Sequence, residues 1–278
     1  MLFLGAGLAA AAYLGIQYLN SYLDIQWVQY LARKPICQYV DRFRVVGFFL
    51  LLPYICKKSG IARESLCLRF NLKKYLTTFC CGCCLWCILF LACISIVGGV
   101  HAHKTTQTSM LVSIFFASLL LAVLEEIIFR GVIFAFFLKR YSETVSMLLL
   151  AFMFACLHFS MCDPGSAHNV FLHAAQCAYQ SLTAIFVHVR WPYFTCLFLL
   201  SCILVQLRLK WNSLWCSIGF HQGLVFVLML LRKKYAFTHH ENSFWGDGHV
   251  TDAWFSVIVL VGIFVTLSYY RRIHEKIS

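Results

Sequence analysis

Long apolar runs separated by short basic stretches dominate the chain. Leu2 to Leu19, Thr77 to Val100, Ser109 to Leu138 and Asn212 to Leu231 each approach or exceed the roughly 20 residues a helix needs to cross a bilayer. Shorter runs at Val45 to Cys56, Thr144 to Ser160, Tyr193 to Leu207 and Trp254 to Tyr270 complete the pattern. It predicts an all-α fold, a polytopic transmembrane helical bundle of about seven to eight membrane helices. Leu2 to Leu19 has no positive residue before it, so it reads as a membrane helix with its N-terminus outside rather than as a signal peptide. Val45 to Cys56 is short and basic on both sides, which predicts a segment that dips into or lies on the cytoplasmic face. Residues 1–76 are read as an N-terminal membrane helix plus a basic interfacial region, and 77–278 as one membrane domain.

The basic residues set the expected orientation. Lys57 to Lys74 reads as an inner loop, His101, His103 and Lys104 as a loop on the far side, and Lys139-Arg140 and Arg232-Lys233-Lys234 as returns to the inner surface. Trp254 to Tyr270 followed by Arg271-Arg272 then conflicts with simple alternation.

Composition sharpens the class. The 278 residues are 61% hydrophobic and 12% charged, against about 25% charged in a soluble domain. The formal net charge of +12 sits in clusters between apolar runs. No basic stripe is interleaved with exposed aromatics, so nucleic acid is excluded as a partner. The partner expected from this composition is the lipid bilayer. The cysteines concentrate in Cys80-Cys81-Gly82-Cys83-Cys84 with Cys87 and Cys93. That group lacks the second pair of ligands a structural zinc site needs, and is read as small residues packing helices.

Against this background Glu125-Glu126-x-x-x-Arg130 is conspicuous, because a charge at the bilayer centre costs at least about 2.5 to 3.5 kcal/mol on insertion scales. Glu126 and Arg130 are four apart, which predicts a pair on one helix face. Glu125 is turned about 100° away and is free to address another helix. Helix rise serves as a depth ruler. Glu125 lies about 14 residues, or ~21 Å, from Lys139, His158 the same distance from Thr144, and His221 about 16 Å from Arg232. Three helices are thus expected to bring ionisable groups to one layer. An ion-pair network that only fixes packing accounts for Glu126 and Arg130, but not for the other three. Phe154, one turn before His158, is expected to form a wall beside them. His168 and His173, five apart, do not share a helix face and are read as packing or pore-lining residues.

A carboxylate beside an imidazole in a poorly hydrated cavity can hold and deprotonate a water, and a second imidazole can donate to the oxyanion formed on a peptide carbonyl. Glu125, His158 and His221 could instead bind Zn2+ with a bound water.

Glu125-Glu126-x-x-x-Arg130, Phe154-x-x-x-His158 and His221-x-x-x-Val225, in that order, resemble the three motifs of the CPBP family of CAAX-processing and bacteriocin-processing intramembrane proteases. The string Arg208-Leu209-Lys210-Trp211-Asn212-Ser213-Leu214-Trp215 is similar to the family's approach to the third motif. The resemblance covers roughly Ser109 to Leu231. It implies that Glu125 and His158 activate the water, that Glu126 and Arg130 orient it, and that His221 stabilises the oxyanion. It implies a glutamate-dependent protease with no obligatory metal, so no cofactor is expected and Zn2+ is the alternative. Val225 stands where the family has Asn, and Gln222, about 100° off the His221 face, is a poor substitute. That departure keeps open a catalytically weak, peptide-binding immunity or scaffold protein. A proton-coupled transporter is the third reading, disfavoured by the lack of an internal repeat. A bacterial inner membrane is expected, with the endoplasmic reticulum as the alternative.

Overall fold

Five helices among the described residues of this computed structural model are long and apolar enough to cross a membrane. The structure describes residues 2–33, 39, 50, 53–54, 56–61, 63–97, 100–102, 108–158, 170–176, 179, 189–237, 244 and 250–277. The expected interfacial run Val45 to Cys56 lies mostly outside these, as do His103, Lys104, His168 and most of 166–189.

Two compact units share the chain, one of Met1–Gly60 with Cys156–Val189 and one of Ile61–Ala155 with Arg190–Ser278. In the first, the apolar run Leu2 to Leu19 forms α1, Leu2–Tyr22, which is not one of those five helices, followed by α2, Gln26–Ala32. Ala6, Ala9 and Ala10 of α1 are buried with Tyr39 and Ala174. Small side chains one turn apart allow that close approach.

The second unit is built from α3 (Leu72–Val97), α4 (Thr108–Glu126), α5 (Phe134–Leu138), α6 (Glu143–Leu157), α7 (Trp191–Trp211), α8 (Leu214–Lys234) and α9 (Trp254–Ile277). Its core is a dry layer of Trp86, Leu89, Ile203, Leu204, Leu224 and Leu260 between α3, α7, α8 and α9. Pro192 sits in the first turn of α7, where its missing N–H removes no helix bond. Asn212 ends the helix in the left-handed conformation, φ 44° and ψ 44°, as a C-terminal stop requires.

Several expected boundaries move. Lys73-Lys74, read as loop, lie in the first turn of α3, because their long stems extend outward while the backbone stays helical. The run Ser109 to Leu138 is not one α-helix: a π-helical segment, Ile127–Ile133, joins α4 to α5. The helix expected to reach Ser160 ends at Leu157, and His158 is in the turn that follows. α9 continues through Arg271-Arg272. The cysteine cluster is also corrected. Cys80, Cys81, Cys84 and Cys87 are exposed on α3, while Cys83 and Cys93 face the helix packing. The described cysteines are free thiols.

The largest revision concerns direction. α3 and α8 run parallel: Tyr75 and Thr78 meet Gly219, Phe79 meets Gly223, and further along Phe90 meets Tyr235 with ring centres 5.5 Å apart. Past both helices, β1 (Val100–Ala102) pairs with β2 (Tyr235–Phe237), the strands present among the described residues. Arg232-Lys233-Lys234 therefore emerge at the end opposite Lys73-Lys74, and not on the same inner face as expected. At the other end, Lys74 Nζ donates to the Trp211 carbonyl at 3.3 Å, and Arg271 forks onto Glu143. α9 thus crosses fully to the end that also carries Lys74 and Glu143, and the apparent conflict over Arg271-Arg272 disappears. A positive-inside count weighs a cluster without knowing which helix it follows in space, and the triad after α8 misled it.

Gly219 and Gly223 on α8, with Gly82 on α3, make this parallel contact so close that backbone meets backbone. A β-carbon on Gly223 would run into the Phe79 carbonyl, and one on Gly219 would lie 2.5 Å from Thr78 Oγ1 and the Tyr75 carbonyl. Gly223→Ala is expected to destabilise the protein by about 1–3 kcal/mol, since neither backbone can retreat without moving its helix. Thermal unfolding in detergent checks this, with Gly262→Ala as control because nothing lies within 4 Å of that position.

Candidate functional site

His221 lies between the two glycines of α8, two residues from each, so it is rotated about 200° from the α3 contact and points to the opposite side. There it meets α4. His221 Nδ1 is 2.8 Å from Glu126 Oε1, and Arg130 Nη1 donates to the same oxygen at 2.9 Å. Glu126 and Arg130 are both fully buried. Glu125 Oε2 lies 3.8 Å from His221 Nε2, and its side chain keeps 19% of its exposure. The expected i, i+4 pair is present, and the two carboxylates divide the imidazole between them, one at each nitrogen.

Further helices complete the setting. Arg130 Nη2 donates to Ser201 Oγ of α7 at 2.9 Å. Phe154 of α6 lies under the guanidinium, its ring centre 4.3 Å from Arg130 Cζ, and meets Phe129 edge to face at 5.1 Å and His221 at 6.4 Å. A cation over an aromatic face gains about 2 kcal/mol or more when desolvated. Phe154 is therefore a partner of Arg130 as well as the expected wall. Glu126 Oε2 and Arg130 Nε are buried without a hydrogen-bond partner among the described residues.

The remaining expected residues are placed differently. His158 falls in the first unit, while Glu125, Glu126, Arg130, Phe154 and His221 share the second. Gln222 is buried and committed elsewhere: its Oε1 accepts from the Tyr75 hydroxyl, and its Nε2 donates to the Phe115 carbonyl at 3.4 Å. It ties α8 to α3 and α4. Val225 is half-buried one turn beyond His221. Among the described residues no three His, Cys, Asp or Glu side chains are grouped so as to hold a metal ion.

Ser201 of α7 was not singled out from sequence, and Arg208 was quoted only as the start of the string before the third motif, with no role given to it. A serine in an apolar helix gives no signal by itself. Arg208 does: an arginine there is costly unless it is used.

Helices that cross a membrane and converge on a buried carboxylate, guanidinium and imidazole define a multi-pass membrane protein with a polar intramembrane site. Residues 106–227, which carry all three motifs, match the family model described as Type II CAAX prenyl endopeptidase Rce1-like. Over that segment, less than half of the chain, the protein is similar to the CPBP, or CAAX protease, family. Comparisons with curated proteins and with solved structures give no match.

Proposed function

We propose that the protein is an intramembrane endopeptidase that hydrolyses a peptide bond of a membrane-associated protein or of a prenylated, C-terminal peptide. The observation that supports this is the buried relay Arg130–Glu126–His221–Glu125, which ends on a carboxylate with partial access to its surroundings. Glu125 is the general base. It takes one proton from a water whose oxygen adds to the peptide carbonyl. The proton then passes to the departing amine as the C–N bond breaks.

Glu126 and Arg130 act through His221. The Glu126 carboxylate only accepts hydrogen bonds, so Nδ1 of the ring carries the proton and donates to it. Nε2 then donates to an oxyanion only when it is protonated as well. Glu125, 3.8 Å away, is placed to exchange that proton with it. The cation so formed lies between two carboxylates. Among the described residues no metal set is formed, and the proposed reaction is carried by the side chains.

A second reading is supported by Val225. Losing one oxyanion donor typically costs about 10² to 10³ in rate, and Gln222 is occupied by Tyr75 and Phe115. On that reading the chain binds a peptide without cutting it. Cleavage of a fluorogenic prenylated peptide and of a transmembrane peptide by the purified protein separates the two. Wild type is expected to cut at least one of them, to keep its rate after strong chelation, and to gain about 10-fold or more when Val225→Asn restores the missing donor. Absence of cleavage by wild type together with its appearance in Val225→Asn would overturn the active-protease reading and leave the binding one.

A further inference from the structure

Arg208 is buried at 4% exposure, and neither the proposed reaction nor the family motifs use it. It lies two helical turns after Ser201, so α7 presents both from one face. Ser201 receives the Arg130 side chain. Arg208 Nη1 donates to the Arg130 backbone carbonyl, and its Nη2 donates to the Ser65 carbonyl at 2.5 Å. Its guanidinium also lies 5.1 Å from the Phe134 ring centre.

The π-helical turn explains why a donor is wanted there. The Phe134 amide, which in an α-helix would bond the Arg130 carbonyl, donates instead to the Phe129 carbonyl. The wider turn therefore turns the Phe134 amide away from residue 130, and Arg208 donates to that carbonyl from the neighbouring helix. Its second arm reaches a strap, the 3-10 turn Arg63–Leu66 and the residues after it. That strap is held to the α7–α8 turn by the Leu214 amide on the Cys67 carbonyl at 2.9 Å and by Trp215 Nε1 on the Leu68 carbonyl at 2.9 Å. Both Cys67 and Asn212 sit at positive φ, 52° and 44°, with Cys67 Sγ donating to Asn212 Oδ1 at 3.0 Å.

We propose that Arg208 is a positioning residue for this site. It holds the π-helical segment Ile127–Ile133 open at Arg130, and so fixes the direction in which Glu126 and Arg130 meet His221. The consequence for rate rests on the hydrolase reading above; the consequence for the π segment does not. A fork of fixed geometry is needed because two carbonyls from different elements are bound at once. A lysine ammonium reaches one of them as a point charge and does not reproduce the fork.

The test compares the full-length wild type with Arg208→Met, Arg208→Lys and Arg140→Met in detergent. Arg140 is an exposed arginine stacked on Phe136 and serves as control. Two readouts are taken, deuterium uptake by the amides of residues 127–135, and kcat and KM on the peptide cleaved by wild type. Arg208→Met is expected to speed exchange in that segment by about 10-fold or more and to lower kcat by a similar factor with KM within about twofold. Arg208→Lys is expected to fall between, and Arg140→Met to match wild type. If Arg208→Met does not fold, Arg208→Lys is read by the same criteria. Exchange and kcat unchanged in the Arg208 variants, or a rise in KM with kcat intact, would overturn the proposal. Should wild type cut no peptide, the hydrolase reading fails, while the exchange measurement still decides whether Arg208 holds the π segment.

Discussion

Glu125→Gln is expected to lower kcat for peptide cleavage by about 10² to 10⁴, the range typical of a general base, while the protein stays folded. The two glutamates differ only in neighbours, and the neighbours decide the outcome. Glu126 is fully buried and bound by Arg130 and His221. Glu125 lies 3.8 Å from His221 with its side chain 19% exposed, so an amide of the same shape replaces it with little disturbance. The measurement is kcat beside the unfolding temperature, with KM determined on the same peptide. Full activity in Glu125→Gln would remove it as the base; a collapse of the unfolding temperature would make it a structural residue instead.

Arg130→Met is expected to produce the largest loss of stability, about 3–5 kcal/mol, because removing one member of a buried ion pair leaves the other charge uncompensated. The methionine retains most of the volume but none of the contacts to Glu126, Ser201 and the Phe154 face. The direct check is a double variant. Glu126→Gln with Arg130→Met removes the stranded charge and keeps an acceptor for His221 Nδ1, so it is expected to unfold at a higher temperature than Arg130→Met alone. Both are expected to be inactive, since Arg130→Met takes away the guanidinium that holds the Glu126 carboxylate against His221 and the double variant takes away the carboxylate itself. Equal unfolding temperatures for wild type and Arg130→Met would show that the pair contributes nothing to the fold.

Much of the site was legible because charges are rare in these runs. Glu126 with Arg130 follows from a spacing of four and survives the π-helical segment that begins between them. His221 was selected for the right layer by a ruler laid from the wrong end: Arg232-Lys233-Lys234 emerges opposite Lys73-Lys74, and the histidine reaches Glu126 all the same because it sits near mid-helix in α8. The two glutamates, read as facing different ways, address one ring, each facing one nitrogen of His221. Gln222 was weighed as a donor to substrate and is a tie between helices. No pattern of polarity distinguishes those uses of an amide.

From the sequence alone came the class of fold, the membrane helices, the ion pair and the family resemblance, because hydrophobic length and i, i+4 spacing are local properties that the chain carries with it. What only the tertiary structure decided was direction and company: the parallel run of α3 and α8, the sharing of His221 between Glu125 and Glu126, and the reach of Arg208 to the Arg130 carbonyl. Each of these depends on which backbone can approach which. Three glycines and one widened helical turn set those approaches, and their effect exists only when another helix is packed against them.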